Sequence, residues 1–347
     1  MTTKIFRVSD ISEGAAEISQ AAEIIKRGGT VAIPTETVYG LGANGLDEQA
    51  VKRIFTAKGR PQDNPLILHV ADESWIERYC EDVPQEAYLL TRHFWPGPLT
   101  IILKRRSIVP SVTTAGLPTV GMRCPKHPIT NALIKAADVP IAAPSANISG
   151  RPSTTSFAHV LQDMDGKIDA IIDGGDCVVG LESTIIDLTE KPPRLLRPGG
   201  VTLEELRRVL DEIEVDEALL RSMPDGEKPK APGMKYRHYA PRAQVTVVCG
   251  YPERAAQYIR ERVSDRTGVL CFDEYAFMFD KGNTRTFGRS TDLKAQAERL
   301  FDALRSFDDS DVTEIYAQCP SDEGLGLAIA NRLKKAAGFR IVDLGRD

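Results

Sequence analysis

Two short polar pairs stand out among the 347 residues: Lys58-Gly59-Arg60 and Ser145-Ala146-Asn147. Two cations spaced this way can neutralise one anion, and side chains at i and i+2 of extended backbone point the same way, so Ser145 and Asn147 could address one ligand together. Beside the first pair lie Asn64, at the start of the apolar run Pro65–Val70, and His69 within it. Arg123 follows the apolar run Val120–Met122, and Arg197 precedes Pro198-Gly199-Gly200. Two arginines at strand ends near a K-x-R pair would make an anion hole of phosphate size. The stretch Pro34-Thr35-Glu36-Thr37-Val38-Tyr39-Gly40-Leu41-Gly42 sets hydroxyls and exposed N–H groups where a strand ends, the place at which open α/β sheets bind ligands. Each feature also has a plainer reading. Lys58 and Arg60 would complement a helix C-terminus that Gly59 ends and Pro61 prevents from continuing. His69 would sit satisfied in a core, Ser145 and Asn147 would form a turn, and the arginines would be solvated.

Other chemistries lack their signatures. Gly40-x-Gly42-x-x-Gly45 formally matches the dinucleotide fingerprint, yet six residues beginning with proline separate it from the preceding strand. There is no G-x-x-x-x-G-K-[ST], G-x-S-x-G or H-E-x-x-H motif, and the five histidines include no helical metal-spaced pair. The six cysteines are scattered singly, which fits neither a zinc site nor a disulfide framework and points to a reduced, cytoplasmic location. A net charge of −5 excludes a generally basic nucleic-acid coat while leaving room for a local basic cleft. No apolar run approaches the ~18 residues that span a bilayer. The polar start MTTKIFRVSD is not a signal peptide.

The elements that must position these groups alternate in a βα rhythm. Strands are expected at Thr30–Ile33, Pro65–Val70, Leu99–Leu103, Val120–Met122, Val139–Ala143, Ala170–Ile172 and Thr184–Leu188. Helices are expected at Ile11–Lys26 (with Asp10 and Glu13 as a capping box), Asp47–Ala57, Gln85–Phe94, Ile129–Ala137, Phe157–Met164 and Thr202–Ile213. Such alternation predicts an α/β domain with a largely covered sheet over residues 1–214. Prolines 224, 229, 232 and 241 then mark a linker over residues 215–242. Residues 243–347 predict a smaller Rossmann-like α/β domain. Its strands are Gln244–Cys249, Gly268–Phe272, Ile315–Gln318 and Arg340–Leu344, and its helices Arg254–Val263, Leu293–Leu304 and Leu325–Ala337.

Taken together, Pro34–Leu41, Lys58-x-Arg60, Pro65-Leu66 with His69, Trp95-Pro96-Gly97-Pro98-Leu99-Thr100, Ser145-x-Asn147 and Arg197-Pro198-Gly199 resemble the threonylcarbamoyl-AMP synthases, whose hallmark is the K-x-R and S-x-N pairs. The linker sequence Pro232-Gly233-Met234-Lys235-Tyr236-Arg237-His238-Tyr239-Ala240-Pro241 and the second domain resemble the long form of that family. The resemblance implies a YrdC-like open twisted α/β sheet domain followed by the smaller domain. It also implies condensation of L-threonine, bicarbonate and ATP to threonylcarbamoyl-AMP plus pyrophosphate. That product serves N6-threonylcarbamoylation of adenosine 37 in tRNAs reading codons that begin with A. Lys58, Arg60, Asn64, Ser145, Asn147 and Arg197 would face the nucleotide, with Thr119, Ser153 and Tyr239 as further nucleotide contacts. Thr37, His69, Arg123 and Ser183 would face threonine, Arg123 on its carboxylate.

Lys58 and Arg60 would be the catalytic residues, with Mg²⁺ arriving with ATP, no protein-ligated metal and no covalent enzyme intermediate. The family's product passes to a separate tRNA threonylcarbamoyltransferase complex; no membrane is involved, and direct tRNA binding stays open. A carbamoyltransferase is the nearest enzymatic alternative, but the acylphosphatase-like and C-x-x-C zinc-finger segments of those proteins are missing. An RNA-binding module is a second, disfavoured by the overall acidity and the paired hydroxyl/amide loops. The linker, with Met234, Tyr236, His238 and Tyr239 among prolines, is expected to fold over the site as a lid; a stiff strut is the competing reading.

Overall fold

Short apolar runs bounded by glycine and proline become strands in the computed structural model of the chain, which describes residues 2–219, 229–234 and 238–345. In chain order the first strands are β1 (Lys4–Arg7), β2 (Val31–Ile33), β3 (Gly40–Asn44), β4 (Ile67–His69), β5 (Leu99–Lys104), β6 (Thr119–Arg123), β7 (Ile141–Ala142), β8 (Ala170–Asp173), β9 (Thr184–Asp187), β10 (Arg194–Arg197) and β11 (Glu214–Val215). They pair as one mixed sheet in the order β1-β8-β2-β3-β7-β4-β6-β5-β9-β10-β11. Helices α1 (Ala15–Lys26), α2 (Glu48–Lys58), α3 (Ile76–Tyr79), α4 (Gln85–Phe94), α5 (Pro128–Ala137), α6 (Phe157–Met164) and α7 (Leu203–Leu206) accompany it. Residues such as Ile25, Ile54, Leu90, Leu133 and Val160 bury their apolar faces in one continuous core.

The second sheet is entirely parallel. Strands β12 (Gln244–Cys249), β13 (Thr267–Cys271), β14 (Thr284–Thr286), β15 (Glu314–Gln318) and β16 (Ile341–Asp343) lie in the order β14-β13-β15-β12-β16. Helices α8 (Pro252–Arg260), α9 (Leu293–Ser306) and α10 (Leu325–Ala336) connect them, as parallel pairing requires. Among the described residues, no helix is long and apolar enough to cross a membrane.

The structure corrects four sequence expectations. Helix α1 begins at Ala15, because Asp10 accepts hydrogen bonds from Ser12 N (2.7 Å) and the Ser12 hydroxyl in a local turn instead of capping a helix from Ile11. Gly40 to Asn44 form strand β3, antiparallel to β2, where a loop was expected. Its glycines answer to packing: a Cβ on Gly42 would stand 2.7 Å from the Ile141 side chain, and one on Gly45 2.3 Å from Leu68. The expected helix Thr202–Ile213 shrinks to one capped turn, α7, before the chain enters β11. Strands β1 and β10 arise from segments too short or too charged to show period-2 alternation.

The two sheets are joined through buried polar contacts. Arg305 of α9 reaches across to Asp163 of α6 (2.8 Å) and to the Pro152 carbonyl (2.7 Å). Burial alone would push the Asp163 carboxyl up, but the bond and charge from Arg305 override it and hold the carboxyl below its usual value. Gly180, at φ 74°, packs so closely on α9 that a Cβ would lie 2.4 Å from the Ala297 carbonyl oxygen. Removing one partner of a buried pair strands the other charge. Arg305→Ala is therefore expected to lower unfolding free energy by about 3 kcal/mol in urea titrations, with Arg151 and the Ile148 N–H moderating the loss.

Candidate active site

Helix α2 is capped at its start by the Asp47 side chain, which accepts from Gln49 N and Ala50 N, and is ended by Gly59 in the left-handed region (φ 61°). That turn sends Lys58 back toward the loop after β7. Its ammonium donates to the carbonyls of Ser145 and Asn147, and Ser149 N donates to the Lys58 carbonyl at 2.9 Å. Within the loop Ser145 Oγ donates to Asn147 Oδ1 (2.5 Å), while Asn147 Nδ2 donates to the carbonyls of Ile148 (2.8 Å) and Arg151 (3.0 Å). The two polar pairs thus form a single knot. The spacing argument expected Ser145 and Asn147 to reach for a shared ligand; in this structure they bond each other, because Asn147 is fully buried.

Seven of the thirteen residues expected at the site line one cavity: Arg60, His69, Arg123, Ser145, Ser183, Arg197 and Tyr239. Sheet register explains much of this, since β4 and β6 pair in parallel with His69 opposite Arg123. Arg123 is clamped by Glu36 (2.7 Å) and Arg197 by the Ser183 carbonyl (2.9 Å) and hydroxyl (3.1 Å). Lys58, Asn64 and Asn147 are buried and do not line the cavity: the first and last belong to the knot, and the Asn64 carbonyl lies 3.5 Å from Arg60 Nη2. Thr37 is fully buried with its hydroxyl 2.8 Å from that of Thr35, and Ser153 donates to Glu182 (2.5 Å). Thr119 lines a neighbouring hollow, separated from the cavity at Ile67 and the linker residue Pro232, which line both. Tyr236 lies outside the described residues.

Sequence reasoning missed Glu182, which also lines the cavity, and the support that Arg332 of α10 gives it (2.8 Å). One acid among many and one basic residue on a distant amphipathic helix carry no local signal. The linker supplies Pro232, Gly233, His238 and Tyr239 to the wall. Among the described residues, the buried atoms without a hydrogen-bond partner include Glu36 Oε2, Asn64 Oδ1 and His238 Nδ1.

The electrostatics are those of a cationic pocket kept dry. Burial, and then the charge of Arg123, pushes His69 down to about 3; burial, and then Arg60, pushes His238 down to about 3. Burial lowers Arg197 to about 10 and, with Arg60, moves the Lys58 ammonium well below its ordinary value. The cavity is small, about 40 Å³, whereas a surface hollow of about 660 Å³ between Trp95, Arg92, Lys126 and Lys135 includes none of the expected site residues. Convergence of charge, not size, marks the functional cleft.

Fold and site together define a two-domain α/β protein with three buried arginines around one cavity. Residues 23–199 match the family model described as "Telomere recombination", and residues 201–338 match "Threonylcarbamoyl-AMP synthase, C-terminal domain". The threonylcarbamoyl-AMP synthase of Pyrococcus abyssi is 49% identical over 94% of this chain and 95% of its own length; that of Bacillus subtilis is 47% identical over 96% of each. The crystal structure of P. abyssi Sua5 complexed with L-threonine superposes with a TM-score of 0.92 at 46% identity, covering 99% of this chain and 100% of that one. This chain belongs to the threonylcarbamoyl-AMP synthase family.

The buried histidines give a pH test. Unfolded imidazoles titrate near 6.5 and the folded ones at about 3, so unfolding takes up protons between those values. Stability should therefore fall as pH drops from 6.5 toward 3, by up to about 1.4 kcal/mol per unit for each histidine. NMR should find His69 and His238 neutral at pH 5.

Proposed function

We propose that this protein condenses L-threonine, bicarbonate and ATP into threonylcarbamoyl-AMP, releasing pyrophosphate and supplying the intermediate for N6-threonylcarbamoylation of adenosine in tRNA. The observation that carries the reading is the convergence of Arg60, Arg123 and Arg197 with Ser145 and Ser183 on one enclosed cavity. The family membership supports it. Bicarbonate loses water to give carbon dioxide; the threonine amine attacks its carbon, forming an N–C bond as one C=O pair moves onto oxygen, and the amine proton passes to solvent, leaving an N-carboxylate. A carboxylate oxygen then attacks the α-phosphorus of ATP, the bond from that phosphorus to the bridging oxygen breaks, and pyrophosphate departs with the electron pair.

The chain's own residues supply position and charge for these steps. Arg123, braced by Glu36, takes the threonine carboxylate, with the Ser183 hydroxyl and His69 close by. His69, kept neutral, serves as a hydrogen-bond partner and not as a cation. Arg60 and Arg197 take phosphate oxygens, and Lys58 holds the Ser145–Asn147 loop against the nucleotide. Among the described residues no group of three or more His, Cys, Asp or Glu is placed to hold a metal, and both Glu182 oxygens are already bonded. Mg²⁺ would arrive with ATP, as the MgATP substrate.

A 40 Å³ cavity is far smaller than the several hundred Å³ that a nucleotide needs. Pro232 partitions it from the hollow that holds Thr119. Lifting the linker merges the two spaces and admits ATP; closing it shields the hydrolysable N-carboxylate from water. Pyrophosphate release should require ATP, L-threonine and bicarbonate together. Lys58→Ala and Arg60→Ala should each lower it roughly a hundredfold or more while far-UV circular dichroism stays unchanged. Wild-type turnover in either variant would remove the assignment.

A further inference from the structure

Helix α10 belongs to the second sheet, yet it ends beneath the cavity of the first. Arg332 on this helix is fully buried. Its Nε donates to Glu182 Oε2 at 2.8 Å, its Nη1 to Asn331 Oδ1 at 3.1 Å, and its guanidinium carbon lies 5.5 Å from the centre of the Tyr239 ring. Ser153 donates to the other Glu182 oxygen at 2.5 Å. Of these partners Glu182 and Tyr239 line the cavity, and neither belongs to the second domain.

Two further observations show that these partners need holding. Tyr239 has φ 65°, a left-handed backbone that a bulky aromatic residue adopts only when its surroundings enforce it. Here its ring stacks on Phe301 of α9 at 5.3 Å and packs against His238 at 4.7 Å. One turn after Arg332, Lys335 donates to the Gly233 carbonyl and to the Met234 carbonyl (3.4 Å), pinning the other side of the linker. Glu182, in turn, is a negative charge in the wall of a pocket meant for a polyanion. Burial would push its carboxyl up, but the charges of Arg332 and Arg197 override that and hold it below its usual value, so Glu182 stays ionised.

We infer that Arg332 is a positioning residue for the synthase reaction: it neutralises Glu182 and seats Tyr239, so that the cavity presents net positive charge to the triphosphate. The second domain is on this account part of the nucleotide site. Without Arg332, the Glu182 carboxylate cancels one of the three cavity arginines and repels the phosphates. The inference rests on the proposed function only for the identity of the nucleotide.

The test uses the full-length chain and two readouts: MgATP affinity by calorimetry and pyrophosphate release with threonine and bicarbonate saturating. Arg332→Met should raise the KM and Kd for MgATP about tenfold while kcat stays within about threefold, since the group acts on binding charge and not on the reacting atoms. Adding Glu182→Gln to Arg332→Met removes the uncompensated charge and should recover most of the lost affinity, and Arg332→Lys should stay close to wild type. A purely structural role predicts the opposite: melting temperatures fall in single and double variants alike, and the MgATP constants of the folded protein do not move. Should Arg332→Met fail to fold, Arg332→Gln takes its place in the same comparison. A roughly tenfold weaker MgATP affinity that Glu182→Gln restores supports the inference, and unchanged MgATP constants in Arg332→Gln overturn it. Absence of pyrophosphate from the wild-type protein would contradict the proposed reaction, whereas the calorimetric ratios judge Arg332 separately.

Discussion

Crowding several buried cations around one small cavity is the constraint on which the rest of the structure depends. Arg60, Arg123 and Arg197 are each more than nine-tenths buried, and Lys58 is more deeply buried still. Like charges at such spacing repel in a medium of low polarity. The fold answers with fixed acceptors: Glu36 on Arg123, the Ser183 carbonyl on Arg197, and the carbonyls of Ser145 and Asn147 on Lys58. These partners leave the pocket positive while holding every side chain in place. The donors of the cavity wall are thus held in fixed directions before any ligand arrives.

Holding that arrangement takes both domains. The larger sheet sets the strand ends that carry His69, Arg123, Ser183 and Arg197. The smaller one contributes α9 and α10, from which Arg305 ties the Pro152–Ser153 backbone and Arg332 ties Glu182. Between them runs the linker, partly seated on Phe301 through Tyr239 and covering the cavity with Pro232 and Gly233. A closed cavity too small for its ligands and a strained backbone at Tyr239 are two aspects of one design.

Much of this was legible in the sequence where local rules dominate. Helices α4 and α6 and strand β12 have the bounds that their periodicity and flanking residues predict, and Gly59 ends α2 in the left-handed conformation expected of a glycine after the last helical turn. Seven of the thirteen expected site residues line one cavity because the motifs sit at strand ends that the sheet draws together. What stayed hidden depends on tertiary partners. The bonds that Asn147 makes within its own loop, to the Ile148 and Arg151 carbonyls, have no signal in the sequence. Gly42 and Gly45 match the dinucleotide fingerprint only formally, and their packing against Ile141 and Leu68 is invisible in the sequence. Arg332 reads as an ordinary basic residue on an amphipathic helix, since nothing within its neighbourhood in sequence mentions Glu182.

The most direct measurement is a crystal structure of the chain with L-threonine and a non-hydrolysable ATP analogue. The account predicts the α-phosphate and the amino acid side by side in the cavity, with Arg60 and Arg197 on phosphate oxygens and Arg123 on the carboxylate. Finding the nucleotide instead in the broad hollow beside Trp95 and Lys126, or the two ligands on separate faces, would contradict it.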